Sequence, residues 1–173
     1  MKNIFLCSFL LISFTVFGQI SVGTGTTKQQ NNWRVGGGIG LGFGNNNYFG
    51  FSVTPFIGYM IAPQLEGGVK VGYQYGSQKN WKQNLFNFGP YMNYYPVRSL
   101  LLRAEYDYYT GNQKYGDNTS ISYDESALWV GGGYHTSGAI QMHAGLMYNV
   151  LYKEGESMFS NGFRPFVGVS VGF

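Results

Sequence analysis

Leu100-Leu101-Leu102-Arg103-Ala104-Glu105-Tyr106-Asp107-Tyr108-Tyr109 is the stretch on which the fold turns. Leu100, Leu102, Ala104, Tyr106 and Tyr108 form an unbroken apolar row, and Arg103, Glu105 and Asp107 all fall on the positions between them. A period of two with the charge confined to one side is the pattern of a β-strand with two unlike faces.

The same pattern extends outward in both directions. From Trp33 onward, alternating segments of about 10 to 14 residues recur, each bounded by Asn, Gly, Pro, Ser or Lys clusters. Residues 33–44 set Trp33, Val35, Ile39, Leu41 and Phe43 against Arg34 and a row of alternate glycines. Those glycines have no G-x-G-x-x-G spacing and no helix follows them, so they do not read as a phosphate loop. Residues 49–61 make a second strand, and residues 65–75 a third with Glu66, Lys70 and Gln74 opposite its apolar row. In the fourth, Asn87, Tyr91 and Asn93 oppose Phe86, Phe88, Met92 and Tyr94. A sixth strand over residues 124–135 puts Trp129 on the polar side, and a seventh over 140–152 does the same with His143. The last segment, residues 163–173, is apolar at every odd position and carries Arg164 on the other face. Longer polar loops are expected at 77–84, 110–123 and 153–162, and short turns at 62–63, 96–99 and 136–138.

Eight such strands predict an all-β fold, an eight-stranded antiparallel up-and-down transmembrane β-barrel. Only 11% of the 173 residues are charged while 44% are hydrophobic and 18% aromatic, against about 25% charged in ordinary soluble domains. The apolar rows of the proposed strands hold no Lys, Arg, Glu or His. An outer solvent that rejects charge accounts for this, because an outward Lys or Arg at the bilayer midplane costs about 2 to 4 kcal/mol. A soluble barrel of lipocalin type would instead turn the charged face to water. That face is nearly all glycine in the first strand and Phe, Gly, Ser and Gly in the last, a poor aqueous surface. Tyrosines and Trp33 cluster toward strand ends on the apolar face, where amphipathic rings suit a lipid–water boundary.

Upstream, Met1-Lys2-Asn3 is followed by an apolar run over residues 4–17 and by Val16 and Gly18 as small residues before Gln19. Residues 1–18 therefore read as a secretory signal peptide, residues 19–32 as a polar leader, and 33–173 as the barrel domain. The run is too short for the ~20 apolar residues of a transmembrane helix. Cys7 lies inside it, so the exported chain would hold no disulfide, thiolate catalyst or Cys-based metal site. Loss of Lys2 leaves 10 basic residues against 8 acidic, a net charge of +2, which gives no electrostatic case for nucleic acid.

The signal peptide, the alternating hairpins and the terminal Val167-x-Val169-x-Val171-x-Phe173 together resemble the small eight-stranded outer-membrane barrels of Gram-negative bacteria, of OmpA and OmpX type. The resemblance covers residues 33–173. It implies an integral outer-membrane location, a monomer, contact with outer-membrane lipid and lipopolysaccharide, and a non-catalytic structural or surface role. It also implies that Val169, Val171 and Phe173 serve as the signal read by the barrel-insertion machinery.

The interior of an eight-stranded barrel is just wide enough to be filled by side chains. The glycine row of the first strand leaves room for the fifth strand opposite, so Arg103, Glu105 and Asp107 are expected to meet Lys70, Glu66 and Arg34 in a buried network. Such a network reads as a plug of paired charges, with an ion or proton path through a narrow pore as the alternative. His135-Thr136-Ser137 resembles the His-x-Ser of lipid A deacylase barrels, which gives a lipid A-modifying enzyme as a further alternative. No partner carboxylate accompanies it and it falls at the wrong end of the barrel, so a polar turn is the expectation. No cofactor or metal site is indicated. Proline at Pro55, Pro90 and Pro165 within strands predicts bulges or broken ladder contacts, since a closed barrel has no edge to host a missing N–H. Folded protein loaded unboiled should run at a different gel mobility from a boiled sample; recovery of the purified protein as a soluble species without detergent contradicts the membrane reading.

Overall fold

The computed structural model describes residues 32–44, 48–79, 81–115, 119–159 and 161–173. The expected signal peptide at 1–18 and all of the expected leader but Asn32 lie outside the described residues. Eight strands follow one another: β1 (Trp33–Gly44), β2 (Tyr48–Ala62), β3 (Leu65–Gln78), β4 (Trp81–Val97), β5 (Leu100–Tyr115), β6 (Ser120–His135), β7 (Ile140–Asn149) and β8 (Phe163–Gly172). Each pairs antiparallel with its neighbours in sequence, and β8 pairs with β1 to close the barrel.

The register sets the geometry. Arg34 pairs with Gly58, Gly58 with Gly68, Gly68 with Tyr91, Tyr91 with Glu105, Glu105 with Trp129 and Trp129 with Asn149, whose N–H reaches the Gly162 carbonyl. The circuit thus ends at Gly162, ten residues short of Gly172, with which Arg34 pairs across the closing seam. A stagger of that size tilts the strands by roughly 35 to 45° from the barrel axis.

Every residue of that circuit belongs to the inner face, as the alternation required. Leu101, Arg103, Glu105, Asp107 and Tyr109 are buried on β5, and Leu100, Leu102, Ala104, Tyr106 and Tyr108 face outward. The outer band carries aromatic pairs at both margins. Trp33 and Tyr59 stack edge-on at 5.1 Å near the short-turn end, while Tyr73–Phe86 and Tyr148–Phe163 lie at 5.0 Å toward the other.

Strands run further than the sequence indicated. The connection expected at 77–84 is mostly ladder, with Ser77 on Lys82 and Gln78 on Trp81, and the loop expected at 110–123 shrinks because β5 and β6 pair up to Lys114↔Ser120. The backbone ladder needs no apolar side chains, so once both faces are polar the alternation that marks a strand disappears while the strand continues. Lys82, Lys114 and Asp124 thereby appear on the outer face, but only beyond the row of Tyr73, Phe86 and Tyr108. Conversely, β7 stops at Asn149, three residues before Tyr152. The Asn149 side chain ends it by accepting hydrogen bonds from the N–H groups of Leu128 (3.2 Å) and Leu151 (3.0 Å). Gly138, at φ 139°, makes the turn into β7 with a conformation that a side chain would strain.

The prolines break ladder contacts without shifting register. Pairing of β2 with β3 skips from Val53↔Tyr73 to Phe56↔Lys70 across Pro55, and that of β4 with β5 skips from Phe88↔Tyr108 to Tyr91↔Glu105 across Pro90. The register shifts sit elsewhere, at Met60/Ala62 and Tyr94/Val97, beside the short turns. Arginine in place of Val71, at mid-height on the outer face, is expected to cost about 2 to 4 kcal/mol in urea titrations of protein refolded into lipid vesicles, whereas Ser122→Arg, beyond the aromatic row, leaves that stability nearly unchanged.

Candidate functional site in the barrel interior

All six charges expected inside are there, but as two groups. At mid-height Lys70 forms ion pairs with Glu105 and, at 2.9 Å, with Asp107. Arg103 lies 3.5 Å from Glu105 and donates from Nε to Asn93 Oδ1 at 2.7 Å. Nearer the short-turn end, Arg34 stands 3.7 Å from Glu66 and hydrogen-bonds Gln141. Glu66 in turn accepts hydrogen bonds from Tyr91 (2.7 Å) and Tyr95 (2.6 Å).

The central group has a member absent from the expected network. Arg164 on β8 donates from Nη2 to Glu105 at 2.6 Å and from Nη1 to Tyr109 at 2.8 Å, with Asp107 at 3.6 Å and the Trp129 ring 4.1 Å from its Cζ. Its parity on the terminal strand put it on the inner face. What the sequence lacked was the stagger, which decides which of the inner residues share a level. Tyr91 and Asn87, which donates to Asp107 at 3.2 Å, were legible only as inward polar residues, and Tyr95 lay past the last residue read as part of the fourth strand.

The arrangement satisfies the acids closely. Asp107, fully buried, accepts from Lys70, Asn87 and Tyr109, and Glu105 meets Lys70, Arg103 and Arg164. Charge taken out of water is stable only with this density of partners.

Two features divide the lumen around the cluster. On the β5–β7 side Tyr109, Ala127, Trp129 and Met147 form a buried apolar patch, capped by Met158 and Phe159 from the loop before β8. Phe159 meets Tyr109 at 5.0 Å and Trp129 at 5.2 Å, both edge-on. Glu125 fixes this loop by accepting from Ser157 Oγ and Met158 N, each at 2.6 Å. Phe159 falls within the polar loop expected at 153–162; the structure turns it inward, where its ring has apolar partners. On the opposite side, the glycines of β1 leave a cavity of about 420 Å³ that reaches Lys70, Arg103, Glu105 and Arg164.

His143 is buried between Phe56 (5.9 Å) and Phe166 (6.2 Å). His135 and Ser137 are not hydrogen-bonded to each other: the ring Nδ1 lies 3.1 Å from the Thr136 carbonyl, and Ser137 donates to the Arg98 carbonyl. Val169, Val171 and Phe173 all face outward on the closing strand, with the Phe173 N–H bound to the Trp33 carbonyl at 3.3 Å.

No family model matches the chain, and neither does any curated protein. Among solved structures, the N-terminal β-barrel domain of Pseudomonas aeruginosa OprF is similar at a TM-score of 0.52 and 15% identity, over 84% of this chain and 100% of its own. Neisserial surface protein A is similar at 0.44 and 16% identity, over 82% of this chain and 95% of its own. A major outer membrane protein from Thermus thermophilus is similar at 0.49 and 12% identity, over 82% of this chain and 99% of its own. The closed eight-strand ladder and the likeness to the OprF domain give this chain the fold of the eight-stranded outer-membrane β-barrels. Replacing Lys70 by Met is expected to destabilise the folded barrel by about 3 to 5 kcal/mol, because it leaves two buried carboxylates short of a cation. Lys153→Met, at an exposed pair with Glu156, is the control that leaves the unfolding midpoint in place.

Proposed function

We propose that this protein is an integral outer-membrane barrel whose interior is closed by paired charges, and that it acts as a monomer in a structural or cell-surface role without catalysis. The observation that carries this reading is the bridging of Lys70 and Arg164 to the same two acids, Glu105 and Asp107, from opposite walls of the lumen. Four charged side chains pinned to one another across so narrow a barrel obstruct a continuous water column.

The membrane setting is supported by the outer face. Ile39, Val71, Phe88, Leu102, Met142 and Val167 are among a continuous exposed apolar surface that encircles the barrel, far beyond the few hundred Å² that soluble monomers expose. On this reading residues 1–18 direct export and the short turns face the periplasm. Val169, Val171 and Phe173 present the insertion signal on the strand that closes the barrel, and the longer hairpins reach lipopolysaccharide and the cell exterior.

The narrow-pore alternative has one observation in its favour, the cavity that reaches Glu105 and Arg164. The enzyme alternative finds none, since His135 and Ser137 are tied to different carbonyls. Refolded protein in a planar bilayer separates the first two: the plugged barrel gives a silent membrane, and steady single-channel steps sink it.

A further inference from the structure

The wall of this barrel is not uniformly closed. Along the seam between β1 and β8, the described pairs run from Arg34↔Gly172 to Gly38↔Gly168 and none lies above them, although β1 continues to Gly44 and β8 begins at Phe163. Pro165 stands in the open part. Phe173 N bonds Trp33 O across this seam, so the odd residues of β8 point their N–H groups toward β1, and Pro165 has none to offer. At Pro55 and Pro90 the ladder resumes within three residues; at the seam it does not resume.

The cavity beside the charge cluster lies against this unpaired part of the seam, with residues of both β1 and β8 in its lining. Its lining joins the outward-facing Ile39, Leu41 and Val167 to the inward-facing Arg103, Glu105 and Arg164. Ile39 and Leu41, at 71% and 70%, are among the most exposed apolar side chains of the outer face. Strand edges open to hydrocarbon are unstable unless they line a polar cavity or are covered.

The charge at the inner end is unbalanced. Lys70, Arg103 and Arg164 face only Glu105 and Asp107, so the central group carries an excess positive charge. Arg103 donates from Nε to Asn93 and sets Nη1 3.5 Å from Glu105, so among the described hydrogen bonds and ion pairs its Nη2 remains for a further acceptor. Arg164 is the most accessible of the three, at 26% of its side chain.

We propose that this opening is a lateral binding site for a single-chain fatty carboxylate, its alkyl chain lying along Ile39, Leu41 and Val167 and its head group received by Arg103 and Arg164. The proposal rests on the membrane reading above and adds a ligand to it. A cavity of about 420 Å³ falls at the lower end of the roughly 300 to 1,000 Å³ typical of small-molecule pockets, which suits one chain rather than a two-chain lipid. The anionic head supplies the missing negative charge, and the chain covers the unpaired edge.

The test uses full-length barrel refolded in phosphatidylcholine vesicles, with Trp33→Phe and Trp81→Phe leaving Trp129, whose ring is 4.1 Å from Arg164 Cζ, as the sole indole. Added 2-bromododecanoate carries its quenching bromine beside the carboxylate. Saturable quenching of Trp129 is expected, with 2-bromododecanol giving only the unsaturable quenching of partition into lipid. Arg164→Gln should weaken the apparent affinity by about tenfold or more, as loss of a charge-assisted hydrogen bond does. Pro165→Val, which restores an N–H to the seam and leaves every charge in place, should weaken it comparably. Equal quenching by the alcohol, absence of saturation, or an unchanged affinity in Pro165→Val overturns the lateral site, and these comparisons stand even if Arg164→Gln fails to fold. Protein that integrates into the vesicles and is not quenched refutes this site alone, whereas protein that does not integrate refutes the membrane reading with it.

Discussion

The rest of the molecule depends on the pairing of Lys70 with Glu105 and Asp107, completed by Arg164 from the far wall. A sheet closed on itself has an inner face that must be filled, and eight strands leave space only for side chains. Where the outer face below the aromatic row of Tyr73, Phe86 and Tyr108 is given over to uncharged, mostly apolar residues, the charges at that height are forced into that space. There they are stable only if the acids and bases arrive at one level. The stagger of ten residues around the barrel is what brings β3, β5 and β8 to that level, although they are distant in sequence.

Filling is uneven, and the unevenness follows from residue size. Tyr109, Trp129, Met147 and Phe159 occupy one side of the lumen, and the glycines of β1 leave the other side empty. Glycine also lets neighbouring groups come close: a Cβ at Gly168 would collide with the His143 ring on the adjacent strand. The empty side is also where the wall is weakest. Pro165 faces β1 with its missing donor, so the cavity, the glycine row and the interrupted seam fall together on one flank.

Much of this was legible beforehand, and the reason differs by feature. Strand parity was readable because each strand body separates two solvents, so Glu66, Lys70, Arg103, Glu105 and Asp107 could be placed inside, and Trp129 with them. The prolines announced broken ladders because a missing N–H is a local fact. The loops at 77–84 and 110–123 were misread because alternation fades wherever both faces of a strand are polar, while the backbone keeps pairing. The inward turn of Phe159 was not legible for a different reason: a loop carries no period, so nothing local tells whether an aromatic ring turns outward or back over the core.

The sequence by itself determined the class of fold and which face of each strand meets which surroundings, since both follow from a period of two that each segment carries within itself. Only the tertiary structure decided which inner residues meet. The level of a residue on a tilted, staggered strand is a property of the closed ring, and it is the ring that brings Arg164 to Glu105, gives Glu66 to Tyr91 and Tyr95 instead of to Lys70, and leaves the β1–β8 seam open beside them.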